Sequence, residues 1–303
     1  MRASVVSVAL LLGSALAHAQ TVEPRRLSVG GVELHYIEQG QGAPLILLHG
    51  GQGDYRAWQE HIDALSPHYR VISYSRRYHY PNQNPIGRDH SAFVDAGDLA
   101  ALIDELNLNA VHLVGTSYGA FTALALAVSR PNMVRTLVLA EPPIHGWAAD
   151  SPNGAALYRQ FMTSVHEPAG AAFVAGNDEA AIRILIDAFD GSGAFARLST
   201  ERRAAIMQNS RFFKAITASS DAFPRLPKDA VAGLDMPVLV IHGANTDDLH
   251  KFVTDELARV LPQAKRAVIP NAGHGSPRQN APAFIASVVE FLIAVEPPRR
   301  TAN

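Results

Sequence analysis

Ser117 lies in Gly115-Thr116-Ser117-Tyr118-Gly119, a Gly-x-Ser-x-Gly pentapeptide. The apolar run Val111-His112-Leu113-Val114 leads into it, and the helix-forming run Phe121-Thr122-Ala123-Leu124-Ala125-Leu126-Ala127-Val128 leaves it. Strand, sharp turn and helix in that order present a serine hydroxyl as a nucleophile. A turn this tight needs small residues two positions away on either side, and Gly115 and Gly119 provide them, aided by Ala120. The helix that starts behind the serine turns its positive dipole end toward developing negative charge. A free hydroxyl is a weak nucleophile at neutral pH and needs a neighbouring base. Among 13 histidines, His274 is placed for that role. It follows the strand expected at 264–269, in the loop Pro270-Asn271-Ala272-Gly273-His274-Gly275, where Gly273 is expected to let the chain turn the ring toward the serine.

Composition narrows the rest. A chain of 303 residues holds one large domain or two small ones, and 48% hydrophobic against 18% charged residues allow a sizeable core. The formal net charge of -2 gives no electrostatic basis for binding nucleic acid. Cysteine is absent, which excludes disulfides and thiolate metal sites and leaves the redox compartment unread. Serine–histidine chemistry asks for no metal and no cofactor. At the N-terminus, Arg2, the apolar stretch 5–16 and Ala17-His18-Ala19 form a signal-peptide pattern over residues 1–19. The stretch is too short for a lasting membrane anchor. The mature chain is expected to begin near Gln20, periplasmic or secreted, with no stable membrane insertion.

These side chains need a scaffold. Strands are expected at 26–30 and 32–38 around Gly30-Gly31, at 44–48, 69–74, before Ser117, and at 133–140, 238–242 and 264–269. Helices are expected at 57–65, 92–106, after Ser117, and at 251–260 and 282–294. Strands alternating with helices argue a doubly wound, mostly parallel α/β sheet. The alternation breaks between 145 and 227, where amphipathic segments at 155–165, 179–189, 201–208 and 211–216 read as an all-helical cap. That leaves 26–144 and 228–295 as the core. The polar, Pro-containing tail 296–303 is expected to fray.

Four motifs stand in order: His49-Gly50-Gly51, the Ser117 pentapeptide, an acidic residue after a strand, and Gly273-His274. With them, residues 26–295 resemble the α/β-hydrolase superfamily. The resemblance implies Ser117 as nucleophile and His274 as base, with the acid between them in the chain. In most members the acid follows the strand that here is 238–242. There Gly243-Ala244-Asn245 leads to Thr246 where a carboxylate is expected, and Asp247 and Asp248 come one and two residues late. A subset, including haloalkane dehalogenases and zearalenone lactonase-like enzymes, places the acid after the preceding strand, where Glu141 closes 133–140. A carboxylate ending an apolar strand is costly unless paired, and an imidazole would pair it. Glu141 is therefore preferred, with Asp247 and then Asp248 as alternatives that also suit capping of the next helix. The family pattern further implies an oxyanion hole from the backbone N–H groups of Gly51 and Tyr118.

The function expected is a secreted serine hydrolase acting through an acyl-enzyme on a small ester, lactone or related carbonyl substrate. A proline iminopeptidase-like peptidase and a carbon–carbon bond hydrolase are rivals, and so is a non-catalytic ligand-binding module on the same fold. Dehalogenase and epoxide hydrolase chemistry are disfavoured, because both use a carboxylate where this chain has Ser117. Phe161, Phe173, Phe189, Phe195, Phe212, Phe213 and Phe223 suggest an apolar substrate pocket, or else packing within the cap. Trp58 and Trp147 are candidate pocket walls or core residues. Arg76-Arg77-Tyr78-His79-Tyr80 reads either as a pocket mouth that holds an anionic group or as a solvated loop.

Overall fold

Eight strands form one sheet in the computed structural model, which describes residues 23–295. The expected signal peptide, 1–19, and the tail, 296–303, lie outside the described residues. The strands are β1 (Arg25–Val29), β2 (Val32–Gln39), β3 (Ala43–Leu48), β4 (Tyr69–Tyr74), β5 (Val111–Thr116), β6 (Val134–Ala140), β7 (Val238–Gly243) and β8 (Lys265–Ile269). Their spatial order is β1-β2-β4-β3-β5-β6-β7-β8. β1 and β2 form a hairpin through Gly30 and Gly31, at φ 56° and 81°, the positive values that a two-residue turn between twisted strands requires. β2 runs antiparallel to β4, and every pairing from β4 to β8 is parallel.

The continuous apolar runs are explained by cover on both faces of the sheet. Along β3, Ile46 and Leu48 pack with Leu99, Leu102, Phe121 and Leu124 on one face. Leu45 and Leu47 pack with Trp58, Ile62, Phe284 and Val288 on the other. The helices supplying these residues are α1 (Gln59–Leu65), α2 (Ala92–Glu105) and α3 (Tyr118–Ser129), with one further helix at the end of the chain. Because β5 lies between β3 and β6, the carboxyl ends of several strands sit side by side. Leu48 is level with Gly115, Thr116 with Ala140, and Ala140 with Ile241. In an open parallel sheet, ligands bind at that edge.

Between β6 and β7 the described chain forms helices only: α4 (Pro152–Phe161), α5 (Glu167–Val174), α6 (Asp178–Asp190), α7 (Ala194–Arg197), α8 (Thr200–Gln208), α9 (Ser210–Ala218) and α10 (Lys228–Ala232), with short 3₁₀ and π turns between them. α5 was not expected, since Pro168 and Gly170 resemble breakers. A π turn over Met162–His166 carries α4 into α5 without a break, and Pro168 sits directly after it, near the start of α5. After β7 come α11 (Asp248–Val260), α12 (Ser276–Gln279) and α13 (Ala281–Val295). No described helix is long and apolar enough to cross a membrane.

Candidate active site

Ser117 stands between β5 and α3 with φ 51° and ψ -128°, a conformation that costs on the order of 1–3 kcal/mol for a non-glycine residue. Its N–H donates to the Ala140 carbonyl at 2.8 Å, tying the turn to β6. A Cβ on Gly119 would lie 2.3 Å from the Leu48 carbonyl oxygen, and one on Gly115 would lie 2.7 Å from Ala120 Cα, so both positions require glycine. The Ser117 Oγ lies 2.9 Å from His274 Nε2. The turn that brings His274 back takes its positive φ at Asn271 (55°), not at Gly273. Gly273 serves close approach instead, since a Cβ there would come 3.2 Å from the Asn245 carbonyl oxygen.

Glu141 also ends its strand at positive φ, 48°. Its Oε2 accepts the Nδ1–H of His274 at 2.7 Å and the Thr246 hydroxyl at 2.7 Å, and its Oε1 accepts the Gly243 N–H at 2.8 Å. A carboxylate on Nδ1 keeps the ring proton there and leaves Nε2 free to accept from the serine. Burial works to raise the Glu141 carboxyl, but the hydrogen bond and charge of His274 outweigh it and hold the group below its ordinary value. Burial works to lower His274, but its bond to Glu141 and the charges of Glu141 and Asp247 outweigh it and raise the imidazole above 6.5.

The structure thus brings Ser117, Glu141 and His274 together, and neither Asp247 nor Asp248 hydrogen-bonds His274. Asp247 caps α11 by accepting from the N–H groups of Leu249 and His250, both at 3.1 Å. Its other oxygen accepts the His250 Nδ1–H at 2.6 Å. Burial works to raise Asp247, but the charge and hydrogen bond of His250 outweigh it and hold the carboxyl low. Asp248 is exposed. The His250 ring lies against that of His274, with centroids 3.9 Å apart. Thr246, His250 and Gly243 are site residues that sequence reasoning missed. The one signal was Thr246 itself, standing where relatives carry a carboxylate.

The loop carrying Gly51 is fixed by buried polar contacts. His49 donates from Nδ1 to the Gly50 carbonyl at 2.8 Å and accepts the Arg76 N–H on Nε2 at 3.1 Å. Burial, with the Arg76 charge second, lowers His49 to about 3, so the ring is neutral. The Arg76 guanidinium donates to the His49 carbonyl at 3.2 Å and pairs with Asp95 at 2.5 Å. Arg76 is only 1% exposed, which corrects both expectations for 76–80: it is neither a pocket mouth nor a solvated loop, but the tie that holds the His49 turn. A Cβ on Gly51 would meet the rings of Phe212 and Phe213 at 2.8 Å. Tyr118 is the first residue of α3, so its N–H has no partner within the helix. Its hydroxyl donates to Ala222 O at 2.8 Å, anchoring the segment after α9.

Ser117 and His274 open into a cavity of about 170 Å³, which holds on the order of ten waters and so suits a small molecule. Trp58 lines it. Trp147 does not: it is buried, and its indole N–H donates to Leu226 O at 2.7 Å. Phe161, Phe189, Phe212, Phe213 and Phe223 line the cavity, whereas Phe173 and Phe195 pack elsewhere in the core. Two guanidiniums, Arg202 and Arg278, reach its wall; among the described residues no Asp or Glu lines it, and Asp190 stands just behind, within 3.4 Å of Gln52 and 3.5 Å of Arg278. Ligand atoms of Glu141, His250 and His274 lie within 4.8 Å of one another, the spacing of a metal site. Glu141 and His274 spend those atoms on each other and on Ser117, so the set is built for proton transfer.

The chain belongs to the alpha/beta hydrolase fold family, whose model matches residues 43–279, and it is an enzyme of the hydrolase class. It is 28% identical over 270 residues to a putative carbamate hydrolase, RutD, of Klebsiella pneumoniae, covering 86% of this chain and 95% of that one. It is 26% identical over 295 residues to the 2-hydroxy-6-oxononadienedioate/2-hydroxy-6-oxononatrienedioate hydrolase of Paraburkholderia xenovorans, covering 92% and 98%. A thermophilic esterase from Thermogutta terrifontis shares the fold with a TM-score of 0.72 at 23% identity, over 90% of this chain and 99% of that one.

Proposed function

We propose that the chain is a secreted serine hydrolase that cleaves a small ester, lactone or related carbonyl compound through an acyl-enzyme. One observation carries the reading: the unbroken contact from Ser117 Oγ through the His274 ring to Glu141, at 2.9 and 2.7 Å. In this mechanism His274 Nε2 takes the hydroxyl proton as Ser117 attacks the carbonyl carbon. Glu141 stabilises the imidazolium, and the N–H groups of Tyr118 and Gly51 receive the oxyanion. The imidazolium then protonates the leaving group. The acyl-enzyme is hydrolysed by a water that His274 deprotonates in turn. Full-length likeness to hydrolases of small carbonyl compounds supports the substrate scale. The peptidase reading is disfavoured, because the guanidiniums of Arg202 and Arg278 on the cavity wall repel a substrate ammonium.

A fluorophosphonate probe tests the reading. The wild type is expected to acquire one adduct, on the peptide that contains Ser117, and Ser117→Ala none. A wild type as inert as Ser117→Ala would leave the non-catalytic binding module. Secretion rests on the pattern in 1–19 alone. A periplasmic product beginning near Gln20 supports it, and a full-length cytoplasmic product overturns it.

A further inference from the structure

We infer that the pocket takes a substrate with a carboxylate end and that Arg202 anchors it. The inference rests on the hydrolase reading for what happens at the other end of that substrate. Arg202 projects from α8 into the cavity that Ser117 and His274 share. Among the described residues its one hydrogen bond runs from Nη2 to the Gln52 amide oxygen at 3.3 Å, and its buried Nε has no partner there. No carboxylate among the described residues lies within ion-pair distance of it. Burial lowers its pKa and the like charge of Arg278 adds to that, and the more distant carboxylates of Asp190 and Asp54 offset these costs only in part. A buried guanidinium normally has its charge met by a carboxylate. The chain follows that rule elsewhere, with Arg76 on Asp95 at 2.5 Å and Arg77 on Asp98 at 2.6 Å. Arg203 and Arg211 also leave Nε unbonded, but they donate to main-chain oxygens and do not line the cavity.

The surroundings point to the same ligand. Arg278 lines the cavity and is held only loosely, 3.5 Å from Asp190. With two guanidiniums on its wall against one carboxylate behind it, Asp190, which Gln52 and Arg278 already engage, the cavity favours an anion. The planar fork of Arg202 has the geometry to take a carboxylate through two parallel hydrogen bonds. Gln52 follows Gly51 directly, so the anchor is tied to the loop assigned to the oxyanion. A substrate held at both ends spans the apolar cavity between α8 and the strand ends.

Calorimetry on Ser117→Ala, which cannot turn over its ligand, tests the inference without catalysis. The ligands are monoethyl and diethyl esters of succinate, glutarate, adipate and suberate, so that chain length is scanned. At the best length the monoethyl ester is expected to bind at least about tenfold tighter than the diethyl ester. Adding Arg202→Gln should abolish that ratio, and Arg202→Lys, which keeps the charge but loses the fork, should leave an intermediate ratio. If the Gln variant fails to fold, the Lys variant carries the test alone. Equal binding of the two esters, undetectable binding of every monoester, or a ratio that survives Arg202→Gln overturns the inference. A failure of the hydrolase reading looks different: the wild type cleaves neither ester while Ser117→Ala still prefers the monoester.

Discussion

Replacing Glu141 with Gln changes one atom and should cost most of the activity. The Gly243 N–H donates at 2.8 Å and so needs an oxygen as its partner, which fixes the Gln carbonyl on the Oε1 side. The Gln NH₂ then occupies the Oε2 position, facing His274 Nδ1 at 2.7 Å. The amide can only donate there, so Nδ1 must become the acceptor and the ring proton moves to Nε2. Nε2 faces Ser117 at 2.9 Å, and once protonated it cannot take the hydroxyl proton. A tautomer error of this kind lowers kcat by about 10⁴-fold, which corresponds to about 5.4 kcal/mol. Asp247→Asn leaves the Glu141–His274 contact intact. It leaves the helix cap in place, since Asn caps as well as Asp, removes only the charge that faces His250, and is expected to cost roughly tenfold or less in kcat because no triad proton moves. Steady-state kcat on a p-nitrophenyl ester, with folding checked by circular dichroism, decides between them. A Glu141→Gln enzyme within tenfold of the wild type, or an Asp247→Asn enzyme more damaged than it, refutes the reasoning. Thr246 Oγ1 lies 2.7 Å from Glu141 Oε2, so Glu141→Ala/Thr246→Asp should recover at least about tenfold over Glu141→Ala.

Two further outcomes follow from the same contacts. His274 acts as a base only when neutral, and its folded pKa is raised above 6.5. The kcat/KM profile should therefore fall as pH drops through a midpoint above 6.5. Glu141→Gln removes the main cause of the raised value and should move the midpoint down, and an unmoved midpoint would assign the limb to another group. Arg76→Met leaves the Asp95 carboxylate, 1% exposed, without its partner. Breaking a buried pair from one side costs about 3–5 kcal/mol, so the melting temperature should fall by several degrees, and an unchanged melt would refute the role given to Arg76.

Much of the scaffold was legible because it is written in local patterns. β3, β5 and β7 are mostly apolar runs, and each leads to a residue whose type invites chemistry or a turn. Ser117 was marked by the small residues its bend demands, and His274 by its place after the last strand. Glu141 was legible only through a family pattern, since a lone acidic residue after a strand carries no local signal. Arg76 was misread because its partner Asp95 lies on a separate helix, and no periodicity links the two. Arg202 sits in Thr-Glu-Arg-Arg, which reads as a solvated helix face until α8 is laid against the cavity. Side chains that act through distant partners leave no periodic trace, and those are the ones that were missed.

Placing the acid on β6 changes what the end of β7 has to do. Freed from supplying the carboxylate, that turn holds it: the Gly243 N–H and the Thr246 hydroxyl occupy the lone pairs of Glu141 that His274 does not use. A buried carboxylate with its remaining lone pairs satisfied has little reason to rotate, and so presents one oxygen to the imidazole. The next residue, Asp247, holds His250 against the same ring, the two planes tilted by 35° with centroids 3.9 Å apart. The turns at Ser117, Glu141 and Asn271 all run through positive φ, at 51°, 48° and 55°. Such conformations last only where the surroundings over-determine them. Here each turn closes a strand of the sheet, β5, β6 and β8, held by parallel pairing, so the strain of the site sits at hydrogen-bonded strand ends.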